Sequence, residues 1–158
     1  MDSTTGQIKY AMHQKGGHWA TQLVATQHGS DLHLSGENIT YYGTDHHDLR
    51  RADFFRSSWH DKAVLTAGFI GQYSYFAYPS RRGEEYSPYF ITYDQSHDRL
   101  MVTGDPNTNG SDVTVPIVDG GGAFLSVAEL YTTNYAFAYY DTALGGLKVR
   151  LGPDYGEG

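Results

Sequence analysis

Asn134-Tyr135-Ala136-Phe137-Ala138-Tyr139-Tyr140 decides the fold class. Successive side chains of an extended chain point to opposite faces, so Tyr135, Phe137 and Tyr139 share one side and Ala136, Ala138 and Tyr140 the other. Aromatic residues at a period of two fit a pleated strand. Leu147-Lys148-Val149-Arg150-Leu151 alternates in the same way. The stretch between them, Asp141 to Gly146, carries two glycines and reads as a hairpin loop, which predicts an antiparallel pair.

The same reading extends upstream. Tyr89 to Tyr93 and Arg99 to Thr103 flank the polar Asp94-Gln95-Ser96-His97-Asp98, a second hairpin. Val113 to Val118 is a strand that Pro116, with no N–H to donate, restricts to an edge or a bulge. Ala63 to Tyr78 carries Gly68 and Gly71, where a strand can kink to turn a barrel corner. Ile8 to Met12, Trp19 to Thr26, Leu32 to Leu34 and Ile39 to Tyr42 are shorter strands. The exception is Asp45 to Asp61. It is highly charged and has Leu49, Ala52, Phe55 and Trp59 at spacings of three, three and four, which reads as one short amphipathic helix or a lid. No repeat of about 20–50 residues stands out, which takes support from propellers and solenoids. The expected fold class is all-β: residues 1–158 as one domain, a single antiparallel β-barrel of about 8–10 strands with one short helix or lid segment. Closure is favoured because it leaves no exposed edges.

Composition narrows the function classes. The chain has 158 residues and no cysteine, which excludes disulfides, thiolate metal sites and cysteine nucleophiles. Eleven Lys and Arg against 18 Asp and Glu give a formal charge of −7, which repels both a phosphate backbone and acidic lipid. No nucleic acid and no membrane is therefore expected as a partner. Met1 to Lys15 lacks the positive start and apolar stretch of a secretory signal. The expectation is a soluble protein, cytoplasmic or secreted after loss of a leader. Asn38-Ile39-Thr40 and Asn109-Gly110-Ser111 match the glycosylation triplet and are read as accidental.

Candidate chemistry is sparse. Asp45-His46-His47-Asp48 is the densest group of ligand-type side chains, but adjacent histidines on an extended chain point apart. His46 and His47 are thus weak metal candidates, and neither metal nor cofactor is expected. Protonation of all eight histidines would take the charge from −7 to +1, an acid-sensitive property rather than a function. No Gly-x-Ser-x-Gly elbow occurs, and Asp119-Gly120-Gly121-Gly122 lacks the Lys and Ser or Thr of a phosphate loop. Glu129, within the apolar stretch Ala123 to Leu130, is a weak catalytic candidate whose role depends on whether it faces water or a lumen. Tyr73, Tyr75, Tyr135, Phe137 and Tyr139 occupy alternate positions of long strands. In a closed barrel they would line a small-molecule cavity or fill the core.

Three motifs together resemble a lipocalin or wider calycin-type barrel. Gly17-His18-Trp19 is similar to the Gly-x-Trp that opens the family's first strand, Thr133-Asn134-Tyr135 to its Thr-Asp-Tyr signature, and Arg150 to its arginine packed over the first-strand Trp, here Trp19. Lys15 and Asn134 depart from the family's usual residues. The resemblance implies a small hydrophobic or aromatic ligand bound in the lumen, with Asp45 to Asp61 as a lid. Whether the protein is an enzyme stays open. A barrel cyclase or isomerase acting on a polyene or polyketide-like substrate, with Tyr hydroxyls or Glu129 moving the proton, is one alternative. The other is a carbohydrate- or protein-interaction module that self-assembles as a homo-oligomer, with Tyr and Asn on loops stacking on sugars.

Overall fold

The computed structural model describes residues 5–66, 68–77, 80–81, 84–85, 89–104, 115–131 and 134–152. The first sheet runs β1 (Gln7–His13), β2 (Trp19–Ser35), β3 (Asn38–Gly43), β4 (Asp48–Phe55) and β5 (Ser58–Leu65), in that spatial order. Next in the chain come β6 (Ile70–Ala77), the short pair β7 (Ser80–Arg81) and β8 (Glu84–Glu85), β9 (Tyr89–Asp94), β10 (Arg99–Gly104) and β11 (Val115–Asp119). Of these, β6, β9, β10 and β11 form a second sheet in the order β11-β10-β9-β6, while β7 and β8 pair with each other as a separate two-stranded ribbon. The third sheet is β12 (Ala123–Tyr131), β13 (Asn134–Asp141) and β14 (Gly146–Gly152). Every neighbouring pair is antiparallel. Both predicted hairpins form, and the Pro116 strand is an edge, with a register shift beside it.

The all-β class therefore holds, but the single closed barrel does not form. Its corner was expected at Gly68 and Gly71, and there the chain leaves one sheet for another. Gly68 and Gly71 have φ of 88° and 117°, and β6 packs across β2, β3 and β4 instead of pairing with β5. Gly120, Gly121 and Gly122, with φ of 75°, 149° and 132°, make the same transition from β11 to β12, which packs on β6 and β9. Glycine tolerates these left-handed conformations, so each run ends a meander and starts a new layer. The first sheet also folds on itself. The part of β2 up to His28 pairs with β1 and the part from Gly29 pairs with β3, and Asp31 with φ of 52° lies at a register shift just after the change. Ile8, Val24 and Ala25 thereby cover Ile39, Tyr41 and Ala52.

The helix expected over Asp45 to Asp61 is also overturned: these residues form the end of the β3–β4 turn, β4, the turn after it and the start of β5. No helix occurs among the described residues. The misleading spacing has a physical cause. Leu49 and Ala52 point to opposite faces of β4, and both are buried because the strand is covered on both sides. Leu49 packs with Ile70 and Phe76, Ala52 with Ile8 and Tyr41. A strand between two layers needs no polar face, so the period of two is lost. The turn itself is Arg56-Ser57, with φ of 51° and 67°. Positive φ at both central residues is what a two-residue type I′ hairpin requires, and Asn-Gly serves it best. Arg56→Asn with Ser57→Gly is expected to stabilise the protein by about 1–2 kcal/mol. Thermal unfolding should then shift upward by roughly 2–8 °C, and an unchanged or lower midpoint would count against this turn.

An internal repeat is present that inspection of the sequence did not find. Tyr42 pairs with Leu49, Tyr93 with Leu100 and Tyr140 with Leu147, in three hairpins of equal loop length. Each hairpin base holds a nearly buried carboxylate beside a cation. Asp94 accepts from Arg99 Nε at 3.2 Å and from the Ser96 N–H at 3.0 Å, while Asp141 accepts from Lys148 Nζ and from the Leu144 N–H. In the first hairpin Gly43 stands where the others have Asp. Asp48 reaches across to fill that space and pairs with Arg50 at 2.8 Å; a Cβ at Gly43 would meet Asp48 Oδ1 at 2.2 Å.

The repeat also builds the layers. Leu49 packs against Ile70, Phe76 and Phe90 of the second sheet, and Leu100 against Phe137 of the third. A glycine opposite each leucine permits the approach. A Cβ at Gly71 would lie 2.7 Å from Leu49 Cα, and one at Gly122 would lie 3.2 Å from Leu100 Cβ.

Candidate functional site

Two open grooves flank the Gly36-Glu37 turn between β2 and β3. The larger, about 370 Å³, is lined by Glu37, Asn38, Arg51, Asp53, Phe54, Phe55 and His60. Strand pairing assembles it: Asn38 is opposite Asp53, and Asp53 opposite His60, so one rung across β3, β4 and β5 presents an amide, a carboxylate and an imidazole together. Arg51 is two residues from Asp53 on the same face and donates to its carboxylate, which Lys62 Nζ also approaches at 3.4 Å. The Arg51 guanidinium in turn lies 4.6 Å over the ring of Phe76, which orients it from the second sheet. Ser58 Oγ lies 2.9 Å from His60 Nε2. Phe55 at the rim is 59% exposed. The smaller groove, about 130 Å³, shares Glu37 and Phe54 and adds Tyr10, Met12 and Trp59. Its wall is a cluster of mutually tilted rings: Trp59 lies 5.3 Å from Tyr10 at 60° and 5.2 Å from Phe54 at 53°, and its indole N–H donates to Gln22 Oε1 at 3.2 Å. Flat aromatic faces beside converging carboxylate, amide and guanidinium groups suit a small polar ligand that also has an apolar face.

A nearly buried network lies beside this site in the first sheet. Arg50 donates to Asp48 Oδ2 and Asp61 Oδ2, each at 2.8 Å, and through Nε to the Tyr41 hydroxyl at 3.1 Å. Tyr41 donates to Asp61 Oδ1 at 2.7 Å, and Gln27 Nε2 to Asp61 Oδ2 at 3.3 Å. Burial and then Asp61 push the Tyr41 hydroxyl far above its usual pKa. Burial opposes the charge of Arg50, yet its bonds to Asp61 and Tyr41 outweigh that and raise it above the ordinary guanidinium value.

The expected site residues are placed elsewhere. Tyr75 and Phe137 come together in the core between the second and third sheets, with Ile91 and Leu100. Tyr73, with φ of 50°, has its ring 5.0 Å from that of Phe124 in a tilted contact, and Tyr139 is buried. None of these lines either groove. Tyr135 and Glu129 are register partners on β13 and β12, and their side chains lie outside the described portion. Thr133 and the second glycosylation triplet also fall outside the described residues. Trp19 and Arg150, expected to pack together, stand on β2 and β14, in the first and third sheets. His46 is exposed in the β3–β4 turn; His47 lies 2.5 Å from the Tyr42 hydroxyl and 4.3 Å from the Phe69 ring. Among the described residues no three His, Asp or Glu side chains converge as a metal site. The groove residues escaped the sequence reading because Asp53, Phe55 and His60 had been assigned to one helix or lid, and only strand register aligns them.

One histidine is set to respond to acid. His33 lies 4.6 Å from the Tyr75 ring, and burial lowers its pKa below the usual 6.5. The unfolded chain then binds the proton more readily than the folded one, so this contribution to stability is full above that value and lost as pH falls below it. His33→Gln should show a smaller loss of stability than the parent between about pH 7 and 5, measured by urea titration. Parallel losses in the two proteins would remove His33 from the account.

Comparison with known proteins finds no match: no family model, no curated protein and no solved structure is significantly similar to this chain.

Proposed function

We propose that the chain is a recognition module that binds a carbohydrate in the groove between Glu37 and His60. The observation that carries this is the rung Asn38–Asp53–His60 with Arg51 beneath it and the exposed Phe55 ring at its rim. A sugar offers hydroxyl pairs, which carboxylate, amide and guanidinium groups can bind as acceptors and donors, and a C–H face that an aromatic ring covers. The lumen binding implied by the lipocalin resemblance needs a closed barrel, and the barrel cyclase needs the same enclosure. The described sheets do not close into one barrel, and this supports preferring the interaction module.

The test is a glycan array followed by calorimetry with the best saccharide. Saturable binding is expected, weakened at least tenfold by Asp53→Asn and by Phe55→Ala, about 1.4 kcal/mol or more. Phe55 is exposed, so its loss should leave the unfolding midpoint unchanged. Absence of saccharide binding, or binding indifferent to both substitutions, would reject the reading.

A further inference from the structure

We propose that the outer face of the third sheet docks a second copy of this chain, head to tail. The face is the third instance of a surface that the chain has already covered twice. Leu49, beside its partner Tyr42, is fully buried under the second sheet, and Leu100, beside Tyr93, is fully buried under the third. Leu147, beside Tyr140, occupies the same place in the third hairpin and is 75% exposed. Val149 and Leu151 continue its row along β14 at 69% and 68% exposure, and Phe124 on β12 extends the patch.

The residues between these side chains keep the surface flat. Ala138 is opposite Val149 and Ala136 opposite Leu151, with small side chains that let another sheet approach closely. Lys148 and Arg150 belong to the other face of β14, so the row of Leu147, Val149 and Leu151 holds no charge. A contiguous apolar surface of this kind on a folded chain marks an interaction site.

The opposite end of the stack supplies the matching surface. There the outer side of the β1–β2 hairpin exposes Trp19 at 70% and Leu23 at 48%, with Ala11 and Thr21 between them and with Lys9 and His13 as the cross-strand partners of Leu23 and Trp19, so this half is apolar with a cationic edge. One molecule therefore presents both halves of an uncovered sheet-on-sheet interface at its two ends. They cannot meet within one stack, but they can meet between copies. Such a contact is heterologous, and it produces a ring where the rotation closes and an open filament where it does not.

Sedimentation velocity of the intact chain across a concentration series tests this, with parallel runs on Leu147→Lys, Leu23→Lys and, as a control on another exposed leucine, Leu34→Lys. The expected result is reversible assembly of the parent and of Leu34→Lys, and loss of assembly in both Leu147→Lys and Leu23→Lys. All three positions are exposed, so each variant should fold, and circular dichroism confirms it. A parent that stays monomeric at its solubility limit overturns the proposal. So does assembly that survives Leu147→Lys. Assembly abolished by Leu147→Lys but untouched by Leu23→Lys overturns the head-to-tail arrangement in favour of a symmetric pairing of third sheets.

Discussion

Leu49→Ala and Leu100→Ala should each cost about 2–5 kcal/mol, while Leu147→Ala at the equivalent position should change the stability of the monomer by less than about 0.5 kcal/mol. The three leucines share chemistry, secondary structure and cross-strand partner, so any difference isolates the sheet that covers them. Leu49 has Ile70, Phe76 and Phe90 around it, and truncation leaves a void that these side chains can only partly fill. Leu100 is closed in by Ile91, Phe137 and the backbone at Gly122. Leu147 is 75% exposed, and among the described residues no layer covers it. Urea unfolding at a concentration where the chain is monomeric gives all three values. Equal losses would mean that the third hairpin is covered as the others are, and a small loss at Leu49 would mean that the first two sheets are not packed as described. Where copies assemble, Leu147→Ala should show its cost only in the association constant.

The strands were legible wherever one face of a sheet meets the core and the other meets solvent. β13 shows this, with Phe137 and Tyr139 buried on one face and Ala136, Ala138 and Tyr140 on the other; β14 alternates as plainly, although there the apolar row Leu147, Val149 and Leu151 is the exposed one. β4 was not legible because it lies between two layers: Leu49 and Ala52 are buried on opposite faces, and Arg50, buried as well, turns its charge into an internal network. A strand with charge inside and apolar residues on both sides imitates an amphipathic helix. The repeat was hidden for a related reason. Its conserved content within the chain is a Tyr–Leu pair and a carboxylate, and the carboxylate moves from Asp94 and Asp141 to Asp48, across the hairpin, where Gly43 takes its place. Only the register of the strands shows that one role is being filled from two positions.

Topology was the larger gap. The glycines at 68, 71 and 120–122 were recognisable as breaks, but a bend that carries a strand round a barrel and a break that starts a new layer have the same composition. What separates them is the surface left behind. Leu49 and Leu100 need a sheet above them, and the bare Cα of Gly71 and the open side of Gly122 let one approach. The site followed the topology. The aromatic residues of β6 and β13 became inter-sheet packing, and the groove formed where three neighbouring strands of the first sheet bring Asn38, Asp53 and His60 into one rung.

Arg50→Ala is expected to destabilise the chain by about 3–5 kcal/mol, because it leaves Asp48 and Asp61 without their cation inside the first sheet. Asp48 is 3% exposed, and both carboxylates accept from this one guanidinium. The penalty therefore arises from stranded charge more than from lost packing. Tyr41→Phe separates the two contributions. It keeps the ring among Ile8, Ile39 and Ala52 and removes only the hydroxyl between Arg50 and Asp61, which should cost about 1–3 kcal/mol. Arg50→Lys retains a charge but cannot reach Asp48, Asp61 and Tyr41 at once, so it should fall between the other two. That order, Ala worst, then Lys, then the Tyr41 variant, is read from urea midpoints at neutral pH. If Arg50→Ala is no worse than Tyr41→Phe, then the carboxylates find water or another donor when the arginine is gone, and the network contributes orientation of β4 and β5 rather than stability.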